Sequence, residues 1–244
     1  MSVASENQST TNHESHRRTN DSESADSAWR SLYRVGGTAA LIMVVLYTIQ
    51  IIVFVAWGPP PSTVIGWFTL FQNNRLLGLL DLDLLSLADY ALMGLMFLAL
   101  YAALRRASES FMAIATTLAF VGIAVYFASN TAFSMLSLSD QYEAATTDAQ
   151  RSILLAAGQA MLAIYQGTAF YTSYVLVSVA PLIISVVMLR SNIFSKVTAY
   201  TGILANVLGL AYFLPAVGVL LSLISVVGLA IWYILIARKL FQLG

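Results

Sequence analysis

Six stretches of this sequence stay apolar for about the twenty residues that a helix needs to cross the roughly 30 Å hydrocarbon core of a bilayer. They fall at about 35–57, 84–104, 111–136, 166–189, 197–213 and 216–236. Backbone crossing lipid must satisfy its own polar groups, and a helix does so within one segment. The expected fold is therefore all-α, a polytopic membrane protein of six transmembrane helices over 28–244. Composition agrees, because 59% of the residues are apolar and 10% charged, far from the mix of a soluble domain. The fifth stretch is short, and Pro215 leaves only a tight turn before the sixth, so those two are expected to form a closely packed hairpin.

Residues 1–27 are rich in Ser, Thr, Asn and Glu, too polar to offset the entropy of ordering, and are expected to be a disordered tail. They lack the basic start and short apolar run of a secretory signal peptide. The first apolar stretch is expected to remain in the protein as a signal anchor.

Lys and Arg concentrate in the cytoplasmic loops of membrane proteins. In a six-span arrangement Arg17, Arg18, Arg30, Arg34, Arg105, Arg106, Arg190, Lys196, Arg238 and Lys239 share one side, with only Arg75 and Arg151 opposite. Both termini are thus expected in the cytoplasm. Trp29, Tyr33, Trp57, Trp67, Trp232 and Tyr233 are placed to form interfacial belts.

Two connections on the outer side exceed the needs of a hairpin. The first opens with Pro59, Pro60 and Pro61 and reads as a short interfacial or re-entrant segment. In the second, Thr147 and Gln150 have capping-box spacing, which predicts an outer amphipathic helix up to Tyr165, with Gly158 and Gly167 as places to bend before the fourth span.

The two histidines, His13 and His16, lie in the tail, and the chain has no cysteine. That excludes His-ligated haem or zinc in the bundle, thiolate sites, disulfides and serine-histidine hydrolysis. No nucleotide-phosphate motif is present, and a net charge of zero argues against nucleic acid. No cofactor or metal is expected, and neither is enzymatic activity.

The polar residues within the spans leave one candidate constellation. Gln50, Asp89, Asn130, Gln166, Thr168 and Tyr171 all map toward the outer half of the membrane and could line an outward-opening polar pocket. Hydration near the headgroups or ordinary interhelical hydrogen bonds explains them better, since they follow no known ligand spacing. Arg75, Asp81, Asp83 and Arg151 read as charges of the outer interface, with Arg75 neutralising the two aspartates. Ala205 with Gly209, and Gly218 with Ser222, are small pairs suited to close packing inside the monomer.

Four segments carry a family resemblance: Leu32 to Gly37, Asn74 to Asp83, Met188 to Ser191, and Ala237 to Gly244. Through them the chain resembles the uncharacterised prokaryotic membrane proteins grouped as domain of unknown function 4386. The resemblance implies six spans in a bacterial or archaeal plasma membrane and supplies no site residues. Three functions stay open, in this order: a non-catalytic envelope protein that senses or binds a ligand or partner through its outer half, a small transporter or channel, and a carboxylate-based membrane enzyme. The bilayer is the expected partner, with a small solute or lipid as ligand.

Overall fold

The computed structural model describes residues 3–244, with side chains from Trp29 onward except that of Val219. The tail expected over 1–27 lies outside the residues described with their side chains. Among the described residues the protein is all-helical, without a strand. Five stretches are long and apolar enough to cross a membrane: Trp29–Trp57, Leu84–Leu104, Glu109–Ala144, Asp148–Arg190 and Leu220–Leu243.

The helices are α1 (Val3–Trp57), α2 (Val64–Asn73), α3 (Arg75–Asp81), α4 (Leu84–Leu104), α5 (Glu109–Ser129), α6 (Ala132–Ala144), α7 (Asp148–Tyr165), α8 (Thr168–Arg190), α9 (Lys196–Leu210) and α10 (Gly218–Leu243). Two of the five long stretches are compound. At 1.5 Å per residue, the 36 residues of Glu109–Ala144 would reach roughly 54 Å, well beyond one crossing. They break at Asn130, whose extended backbone (φ −71°, ψ 126°) ends α5. Its Oδ1 accepts from the Ala132 N–H at 3.1 Å, and its Nδ2 donates to the Leu82 carbonyl at 3.3 Å. An Asx turn thus replaces the helical ladder. The expected span over 111–136 is therefore two helices.

Asp148–Arg190 breaks at Gly167, whose backbone is extended and where a Cβ would lie 2.6 Å from the Ala163 carbonyl oxygen. Gly158 does not bend the chain. It lies inside α7, where a Cβ would come within 2.4 Å of Val64, so its role is to let α7 approach α2. At Thr147 the capping box is formed in full, with Gln150 answering the threonine. The stretch read as the fifth span becomes a 15-residue helix, α9, followed by a 3-10 turn, Ala211–Phe213.

Six helices form a closed ring in the order α1, α4, α5, α8, α9, α10 and back to α1, each packed against its two neighbours. Helical spacing puts Met93, Met96, Phe97, Leu100 and Leu104 of α4 on the inner side, while Leu95 and Leu98 point outward. Many large apolar residues face outward elsewhere, among them Ile51, Ile52, Val55, Leu204, Leu220 and Val227. Water would penalise so extensive an apolar surface, whereas lipid matches it. The long apolar helices fit a multi-pass membrane protein.

A second hydrophobic core sits beyond one end of the ring, built from α2, α3, α6 and α7. Val64, Trp67, Phe68 and Phe71 of α2 meet Ala132 and Met135 of α6 and Leu162 of α7. The Ser139 hydroxyl donates to the Phe68 carbonyl at 3.0 Å, joining α6 to α2. These helices make a cap over the ends of α1, α4, α5 and α8. Trp67 and Trp232, expected at the interfaces, turn their rings inward: they are 3% and 0% exposed, the one in the cap core and the other in the ring core.

Candidate functional site

Where α3 ends and α4 begins, Asp83 takes a left-handed backbone (φ 62°) that carboxylate and carboxamide residues tolerate better than most. From there its carboxylate accepts hydrogen bonds from the Tyr165 hydroxyl at the end of α7 and from Ser86 of α4. Burial pushes the Asp83 carboxyl above the usual carboxylate range, and these two hydrogen bonds partly oppose the shift. Through Tyr165 this aspartate ties the cap to the ring.

The pairing expected between Arg75 and the two aspartates is not present. The Arg75 guanidinium instead bonds Asp140 of α6 at 2.8 Å. Arg151 lies over the Tyr142 ring, 5.9 Å from its centroid. Asp81 makes no hydrogen bond or ion pair with its side chain among the described residues. Partial burial alone raises its carboxyl above the usual range.

Asp81 lines a groove of about 440 Å³ at the junction of cap and ring. One wall is Trp67 of α2 with the Pro60–Ser62 turn, and the other is Tyr165, Phe170 and Tyr171 around the α7–α8 bend, with Tyr212 closing it. These aromatics support one another. Ring centroids lie 6.2 Å apart for Tyr165 and Phe170, 5.6 Å for Phe170 and Tyr171, and 5.4 Å for Tyr174 and Tyr212. The Tyr174 hydroxyl anchors this cluster to the Gly209 carbonyl of α9 at 2.8 Å.

The six residues read as one polar pocket do not converge. Gln166 and Tyr171 line the groove. Thr168 is exposed on the first turn of α8. Asn130 spends its carboxamide on the α5–α6 break. Asp89, only 3% exposed, lies within the ring beside Tyr47 of α1, with Tyr233 and Tyr90 close by. Among the described residues its Oδ1 has no partner, and neither has the buried Oε1 of Gln50, one turn beyond Tyr47.

Sequence reasoning missed Trp67, Tyr165, Phe170 and Tyr212 as site residues. The available signal was the aromatic density of 165–174 and 212–213, which reads equally well as span packing. Among the described residues no three His, Asp or Glu side chains come together as metal ligands. Compared with family models, with curated proteins and with solved structures, the chain matches none.

Proposed function

We propose that this chain is a six-span protein of a prokaryotic plasma membrane, with both termini in the cytoplasm, that binds a small ligand in the cap groove without catalysing its conversion. The six-helix ring supports the crossing number, because α9 fills the place between α8 and α10 although it is shorter than the other five crossings. Charge supports the orientation. Arg30, Arg34, Arg105, Arg106, Arg190, Lys196, Arg238 and Lys239 lie at the ring end away from the cap, while Arg75 and Arg151 lie in the cap. The resemblance to domain of unknown function 4386 favours the same architecture.

The observation that carries the binding reading is the groove itself. Five separate segments of chain converge on about 440 Å³ of open space with a carboxylate that no neighbour among the described residues neutralises. Packing alone gives no reason to keep such a space, whereas ligand sites combine aromatic walls with a few placed polar groups.

Thiol labelling tests the reading cleanly in a chain without cysteine. In intact cells an impermeant maleimide should react with Ala144→Cys and Gln166→Cys and spare Ser108→Cys and Ser191→Cys. The reverse pattern would invert the topology and remove the outer groove.

A further inference from the structure

We propose that the groove recognises an organic ammonium ion, with Asp81 as its counter-ion and the aromatic rings as its walls. The proposal rests on the binding reading above and names the class of ligand. Three observations carry it.

First, Asp81 is the only charged residue lining the groove among the described residues, so the space is electronegative. Both basic residues of the cap are engaged elsewhere, Arg75 on Asp140 and Arg151 on Tyr142, and neither reaches it. An anionic ligand would meet a carboxylate there and no cation. A neutral apolar ligand would leave that carboxylate partly buried and uncompensated.

Second, Trp67, Tyr165, Phe170, Tyr171 and Tyr212 surround the same space. Faces of aromatic rings attract a diffuse cation, and tertiary or quaternary ammonium groups are the ions best held this way, because they are too bulky and weakly hydrated to prefer a ring of oxygens. A bare metal ion would need several oxygen ligands, and no acidic cluster stands there among the described residues.

Third, the walls are held in place. Tyr165 is fixed through its hydroxyl to Asp83, Trp67 is packed in the cap core, and Tyr212 rests on Tyr174, which is itself bonded to the Gly209 carbonyl. A rigid aromatic wall spends little free energy on ordering when a ligand arrives.

The ammonium group could belong to a free amine or to a lipid headgroup, and the test separates these sources. The probe is choline, compared with 3,3-dimethylbutan-1-ol, which has the same shape without the charge. The full chain carrying Gln166→Cys is placed in phosphatidylglycerol bilayers and the rate of maleimide labelling is followed. Choline should slow labelling in a saturable way, and the neutral alcohol should not. With Asp81→Asn added, protection should require about tenfold more choline, the loss expected for one ion pair in a partly screened site.

In phosphatidylcholine bilayers a headgroup occupant would make labelling slow before choline is added, while a free-amine site would label as fast as in phosphatidylglycerol. Equal protection by the alcohol, or no protection by choline in phosphatidylglycerol, overturns the ammonium proposal and leaves the binding reading standing. A Gln166→Cys chain that does not react from outside in cells removes the binding reading itself. Should Asp81→Asn fail to fold, the comparison of choline with its neutral isostere still decides.

Discussion

At Asp83 a single carboxylate holds a left-handed turn, a tyrosine from the cap and a serine from the ring. Its carboxyl titrates above the usual range, so the fold favours the protonated form. The sign follows from linkage. Stability contributed by a carboxyl with a raised pKa is present in full below the unfolded value of about 3.9 and is lost as pH rises through the folded value. Asp83→Asn keeps the shape, tolerates the same backbone and removes the titration. The variant should match the parent in thermal midpoint near pH 4 and exceed it at pH 8, read by thermal unfolding in detergent. A gap of constant size across that range would mean that the hydrogen bonds from Tyr165 and Ser86 fully offset the effect of burial. Neither the turn nor the tyrosine was legible from sequence, where Asp83 and Asp81 look like a pair of solvated charges near Arg75. Chain proximity suggested that neutralisation, but Asp140, 65 positions away from Arg75, takes the guanidinium.

Among the elements, the long outer connections show how far hydropathy can be trusted. The apolar runs located α4, α8 and α10, because burial in lipid demands helix regardless of tertiary detail. The same criterion joined α5 to the start of α6, since Ala132, Phe133 and Met135 are as apolar as the span before them. Only the local bonding of Asn130 reveals the break. A backbone turn made by one side chain leaves no mark on an averaged hydropathy. By contrast, the start of α7 was legible from two residues, because a capping box is a local device with a fixed spacing. Thr147→Ala removes the bond to the Gln150 N–H and should cost about 1 kcal/mol of helix stability. Hydrogen exchange should then quicken roughly fivefold at the first-turn amides of α7, by the usual conversion of free energy to rate. Unchanged exchange there would show that cap packing alone fixes the helix start.

For the whole molecule, the ring and the cap rest on different forces. Ring helices in lipid or detergent keep their backbone bonds even when packing loosens, whereas the cap depends on a small core of residues such as Phe68, Phe71 and Met135. Cap and ring should therefore come apart in sequence as the fraction of harsh detergent rises. Trp67 reports the cap core and Trp232 the ring core. Single-tryptophan chains should show the Trp67 emission shifting before that of Trp232, and coincident transitions would mean that the two cores are one cooperative unit.

The neighbour relations in the ring bear on how such a chain is made. Gly37 of α1 lies against Phe241 and the Ala237 carbonyl, and Tyr47 stacks on Tyr233 with parallel rings 6.0 Å apart, so the first helix of the ring packs against α10, which follows the other five in sequence. Every other seam joins helices that lie closer together in the chain. Until α10 has been made, α1 must wait in the bilayer with that flank uncovered, presenting Gly37 and Tyr47 to lipid or to the insertion machinery. Closure of the ring then waits on α10, and that helix decides whether the other five ring helices remain together.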